Sequence, residues 1–167
     1  MGKVLNAFEN GWLGAISRSI GDVVEAKAVT AANGIAFGLP VVLNSSKTGV
    51  IPFASTHTAN DFYGVTVRSA SKTPDTYGSN EAHYNRKEMA DVLVRGSIIV
   101  NCYAGTPEPG GAVYIHKASG RFVADASTGG VDNVFLPTAR WRGGKDTYNR
   151  AELLLFTVME AEDNTPN

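Results

Sequence analysis

An all-β fold is what this sequence predicts, and three observations carry that expectation. Short runs of β-branched and aromatic residues recur at close spacing, and clusters of Gly, Pro, Asn and Asp separate them. No stretch sustains the 3.6-residue period of a long amphipathic helix. Glycine is abundant at 18 of 167 residues, and charged residues make up only 19%, below the usual quarter. Together these suit a turn-rich β-barrel or jelly-roll-like sandwich, a single domain over residues 1–167, with much of its surface meeting other protein. A chain of this length buries about 70% of its unfolded surface, so its core needs no covalent staples.

Taken in order, residues 1–20 hold Phe8, Trp12, Leu13, Ile16 and Ile20 among Gly, Ser and Asn, with neither helical period nor strict alternation. Two readings stay open there: an arm that docks on another chain, or a segment packed on its own core, since a free Trp12 is costly. From Asp22 the pattern turns to β, with Val24, Ala26 and Ala28 alternating against Val23, Glu25 and Lys27. Further strands are expected at residues 35–37, 41–43, 50–53, 62–68, 88–95, 97–103, 112–115, 121–124 and 153–159. Turn chemistry divides them at Asn33-Gly34, Gly38 with Pro40, Lys47-Thr48-Gly49, Pro107 to Gly111, Ser119-Gly120 and Gly129-Gly130. Gly96, inside the run from Met89 to Val100, either turns a hairpin or bulges one long strand, because glycine alone accepts the positive φ such a bulge needs. The polar stretch 69–87, with Tyr77 and Tyr84, is too long for an ordinary hairpin connection and reads as a functional loop. The acidic tail, residues 160–167, reads as frayed.

Fifteen basic against sixteen acidic residues leave a net charge of -1, no field to attract a phosphate backbone, so nucleic acid is not the expected partner. No run of about 18 apolar residues and no secretory leader pattern occurs, so neither a membrane span nor export is expected. Cys102 is the lone cysteine, which suits a reducing cytoplasm as the place of synthesis.

Catalytic patterns are weak. Ser69-Ala70-Ser71-Lys72 and Lys47-Thr48-Gly49 match two words of penicillin-recognising enzymes, but in the wrong order and without the Ser-Asp-Asn element. Cys102 with His83 or His116 is a formal nucleophile and base, yet a cysteine ending an apolar strand reads as a small core residue. The three histidines, His57, His83 and His116, lack metal-ligand spacing, and Asp125, Asp132 and Asp146 lack a calcium-loop pattern. The expectation is therefore no enzyme, no metal and no cofactor; a hydrolase or lyase on a β scaffold would need a convergent polar set. Arg140, Arg142, Lys145 and Arg150 surround Trp141, a grouping that suits an acidic protein surface better than single-stranded nucleic acid.

The order of segments resembles a particular family. Ile35-Ala36-Phe37-Gly38, Phe62 to Ser69, and Val92 to Val100 are followed by Gly111 to Ile115, Gly120 to Val123, Leu136 to Trp141 and Ala151 to Leu155. This succession resembles the tailed-bacteriophage capsid cement, or decoration, proteins over residues 35–157. The resemblance implies a β subunit in the virion, on the capsid exterior, that binds the major capsid protein and stabilises contacts between its subunits. Self-association, as a dimer or trimer, is expected from the apolar residues of the irregular N-terminal segment and the low-charge surface, which make another chain the place to bury them. A tail or baseplate β module and an oligonucleotide-binding barrel are the alternatives. Residues expected at protein interfaces are Phe8, Trp12, Leu13, Ile16, Tyr77, Tyr84, Arg140, Trp141 and Arg142.

Overall fold

The computed structural model describes residues 10–72 and 83–156. Its strands are β1 (Ile16–Val29), β2 (Ile35–Ala36), β3 (Pro40–Leu43), β4 (Gly49–Pro52), β5 (Phe62–Thr66), β6 (His83–Tyr84) and β7 (Met89–Asn101). They continue as β8 (Ala112–His116), β9 (Arg121–Val123), β10 (Ser127–Thr128), β11 (Val131–Asp132), β12 (Val134–Trp141) and β13 (Arg150–Leu155). A single 3-10 turn, Ala59–Asp61, is the sole helical element among the described residues. The all-β expectation therefore holds.

One nine-stranded sheet runs β1-β4-β3-β5-β7-β13-β12-β8-β9, and β1 also pairs with β7. That extra pairing closes β1, β4, β3, β5 and β7 into a ring, the barrel of the two expected architectures. The rest of the sheet curls back as well: Tyr103 N–H donates to Phe122 O at 2.8 Å and Ala124 N–H to Ala104 O at 2.9 Å, which returns β9 to the chain just beyond β7. β7 thus belongs to both halves.

Two cores follow from this. Val29, Val41, Val50, Ala90 and Val92 of the ring pack with Ile35, Phe37 and Tyr84. The larger core joins Leu93, Ile98 and Val100 of β7, and Cys102 just beyond it, to Val113, Ile115, Phe122, Leu136, Trp141, Leu153 and Leu155. Leu93 and Ile98 share that core although five residues apart, an odd step that a regular pleat places on opposite faces. The frame shift occurs at Gly96. There β1 inserts extra residues, since Arg18 lies opposite Ser97 and Val23 opposite Arg95. Gly96 has φ +127°, and a Cβ on it would collide with the Asp22 carboxylate. Of the two readings of the Arg95-Gly96-Ser97 interruption, the structure takes the bulge.

Several strands differ from the sequence reading. β1 begins at Ile16 inside the segment that had no clear period, because its pattern is broken by its own bulge. His83 and Tyr84 form a strand with β2 inside the stretch read as one loop. β12 contains Pro137, which demotes a strand by pattern, and its ladder with β8 slips between Leu136 and Arg140 to accommodate it. It lies where the resemblance implies a strand. Gly129-Gly130 does turn, between the short strands β10 and β11 that pattern missed.

The entry to β7 is held by Glu88. Its carboxylate accepts the Asn85 N–H at 2.7 Å and pairs with the Lys72 ammonium, which holds its carboxyl well below the ordinary range, at about 2. Val29 N–H donates to Glu88 O at 2.8 Å, tying this turn to the end of β1.

Two outcomes are expected. Gly96→Val combines backbone strain with overpacking and lowers stability by roughly 2–6 kcal/mol in denaturant titration; a loss under about 1 kcal/mol would contradict the bulge. A carboxylate with a depressed folded-state pKa stabilises above its unfolded value, and that contribution fades as pH falls toward about 2. Glu88→Gln should therefore match the wild type most closely at pH 2 and fall below it near pH 6 in thermal melts.

Candidate docking surface

The N-terminal segment is pinned to the body by its backbone. Gly14 N–H donates to Ile99 O at 2.8 Å, Ile99 N–H returns a bond to Ala15 O at 2.9 Å, and Arg68 N–H donates to Gly14 O at 2.7 Å. Gly14 has φ +76°, and a Cβ there would stand 2.8 Å from Arg68 N and 2.9 Å from Phe37 Cβ, so glycine is required for the close approach. Upstream, Asn10 donates through Nδ2 to Arg150 O at 2.7 Å and to Gly144 O at 3.0 Å. Arg150 Nη1 donates to Gly11 O at 2.7 Å.

These anchors fix Trp12 on the outside. Its side chain stays 55% exposed, with the Arg68 guanidinium 5.2 Å and the Arg150 guanidinium 5.4 Å from its ring centroid. Arg150 also lies 4.8 Å from the Tyr148 ring, itself 56% exposed. Cations over aromatic faces hold the rings in place at about 0.5–1 kcal/mol each at exposed sites. Neither arginine forms an ion pair among the described residues, and Arg68 Nη1 is buried without a hydrogen-bond partner. Trp12 between two arginines that lack acidic partners among the described residues, with Tyr148 against one of them, has the composition of an interface hot spot.

The other expected interface residues fall apart into separate places. Leu13 and Ile16 are half-buried beside this cluster, and Ile16 packs on the larger core. Phe8 and Tyr77 lie outside the described residues, as does the tail at 160–167. Tyr84 is a core residue: its hydroxyl donates to Val67 O at 2.8 Å and its ring meets Phe37 edge-on at 5.2 Å. Trp141 is buried too, with its indole N–H unpartnered. Both are withdrawn from the surface, Trp141 because β12 alternates and turns Arg142 outward instead. Arg140 forms a second small patch, its guanidinium 5.8 Å from the Phe135 ring and 5.7 Å from Phe156.

The residues weighed for catalysis have local roles. Lys72 pairs with Glu88, while the Ser69 and Ser71 hydroxyls bond each other at 2.8 Å. Cys102 is buried, its thiol donating to Ala104 O at 3.2 Å, and burial pushes its pKa up. His116 Nδ1 bonds Ser119 Oγ at 2.9 Å and its ring stacks on Tyr103. Among the described residues no three His, Cys, Asp or Glu side chains gather as a metal site.

Arg68 and Tyr148 escaped sequence reading because Arg68 reaches Trp12, and Tyr148 reaches Arg150 over the same indole, from parts of the chain far from Trp12, with no spacing to connect them. So did the exposed Ile20, Val23 and Val24 of β1.

A chain from the structure of the capsid of Myoviridae phage XM1 superposes with a TM-score of 0.70 at 14% identity, covering 93% of this chain and 96% of that one. At that identity the likeness concerns fold alone. No curated protein sequence matches. The family described as structural cement protein (E217 gp24/Pam3 gp6) matches residues 3–155, from the pinned N-terminal segment to the last strand, and the chain belongs to that family of phage structural cement proteins.

Proposed function

We propose that the protein binds the outside of the assembled phage head, bridges neighbouring major capsid subunits and self-associates as a dimer or trimer. Membership of the cement family makes it a structural protein of the virion. The observation that supports a docking role most directly is the exposed Trp12 between Arg68 and Arg150, two cations without acidic partners among the described residues, beside a large apolar ring. A carboxylate of the shell meeting these guanidiniums, with Trp12 covered by the same contact, satisfies both needs. The reading assigns no catalysis, cofactor, nucleic acid or membrane to the chain.

A closed oligomer touching several shell subunits gains avidity, because after one contact the others form at high effective concentration. Free subunits lack that geometry. Whatever binds the closed shell and not the open one stabilises it by mass action, by about 2.7 kcal/mol per site at 100 times the dissociation constant.

Heads lacking this protein, heated with and without its return, test the cement role. DNA release should move to higher temperature on add-back; equal release temperatures at full occupancy would reject cementing and leave surface display. Trp12→Ala should weaken head binding tenfold or more, the roughly 2 kcal/mol of a hot-spot truncation, and should leave thermal unfolding of the free protein within a few degrees of wild type. Unchanged affinity would move the docking surface elsewhere.

A further inference from the structure

The Trp12 cluster borders a cleft of about 550 Å³, a volume in the range of ligand-sized sites. Three walls of the cleft adjoin residues of the cluster. Leu13 follows Trp12 in the chain, and Asn101 stands opposite Arg150 in the ladder of β7 with β13. The Phe37 ring lies 5.7 Å from the same Arg68 guanidinium that faces Trp12. β9 supplies a further wall through Arg121 and Phe122, and the turn before it adds Ser119. The cleft and the exposed indole therefore form one continuous surface.

The charge along that surface has one sign. No Asp or Glu is among the described residues lining the cleft, whose ionisable walls are Arg121 and His83. Arg121 is exposed, with its guanidinium 5.5 Å from the Tyr103 ring. Like Arg68 and Arg150, it forms no ion pair among the described residues, and Arg68 Nη1 is in addition buried without a hydrogen-bond partner. A second chain laid across this surface covers three cations, and burying a charge unpaired is costly. An occupant that fits must therefore bring carboxylates, together with an apolar side chain for the space beside Leu13, Phe37 and Phe122. β13 ends opposite Gly96, about 17 Å along β7 from the Asn101 wall, so the acidic tail of this chain does not start at the cleft.

From this continuity and this charge we infer that the cleft receives an acidic peptide segment of the major capsid protein. An apolar side chain of that segment enters beside Leu13, Phe37 and Phe122, and its carboxylates meet Arg121 and the two arginines at Trp12. The inference rests on the head binding in the proposed function and adds the partner's chemistry and a second anchor point to it.

Heads lacking this protein are the probe. Arg121→Glu reverses the charge of one exposed wall residue, and Ser119→Trp fills the space from another. Each should weaken head binding tenfold or more, as loss of an anchor does, and leave thermal unfolding of the free protein within a few degrees of wild type. Asn33, a third exposed wall residue, takes a label: Asn33→Cys carries a thiol-reactive photo-crosslinker, while Cys102 is buried and stays unlabelled. On heads the crosslink should join the major capsid protein within a segment rich in Asp and Glu. Wild-type affinity in both wall variants would overturn the inference, as would a crosslink to a second copy, to this chain's own tail or to a shell segment without acidic residues. Trp12→Ala separates the two possible failures. If it weakens binding while the wall variants do not, the cleft is excluded and head binding stands; if the wild type binds no heads, both fall.

Discussion

Everything in this molecule depends on one strand serving two cores. β7 lends Ala90 and Val92 to the ring and Ile98 and Val100 to the larger core, and a uniformly pleated strand has no register that satisfies both together with Leu93. A one-residue slip would turn apolar residues to water along half its length. The bulge at Gly96 resolves the conflict at the cost of a positive φ, and the Asp22 carboxylate occupies the space where a side chain would stand. Both oxygens of that carboxylate are buried and without hydrogen-bond partners, so the bulge also stores an unfavourable desolvation that the two cores offset.

The proposed docking surface inherits its rigidity from the same strand. Ile99 lies just past the bulge and exchanges backbone bonds with Gly14 and Ala15, which places Trp12 two residues upstream at a fixed position. For the proposed contact with a shell of fixed geometry such preorganisation matters, since ordering a loose segment on binding would subtract from affinity. Trp12 is held by neighbours of its own chain while its ring remains open to another. Of the two readings of residues 1–20, the described part from Asn10 takes the packed one in its backbone, while the Trp12 indole stays exposed.

Much of the fold was legible because most strands obey period two between turn residues. The exceptions each have a local cause. β12 was hidden by Pro137, and β1 by the insertion that breaks its alternation before Val23. Trp141 was misplaced by its basic neighbours, although alternation along Ala139, Arg140, Trp141 and Arg142 already carries the answer, with Ala139 and Trp141 in the core. Of the cluster proposed for docking, the sequence singled out Trp12 alone as an interface residue. Arg68 lies two residues past β5 and Arg150 opens β13, and only tertiary closure sets both over the indole. Local spacing holds no record of such a gathering.

The closing pair of the ring also sets an order of events during synthesis. Val24 lies opposite Leu93, 69 residues later in the chain. At roughly 5–20 residues per second, a ribosome takes about 3–14 s to make that partner. For that interval the nascent β1 has no ladder on either side over most of its length, and non-local pairings of this kind fold slowly. Many chains made at once in one cell would expose the same neutral, β-branched segment to each other. An edge that is closed only late is thus exposed to its copies before it is exposed to its own partner, so the yield of this protein should depend on how crowded its synthesis is.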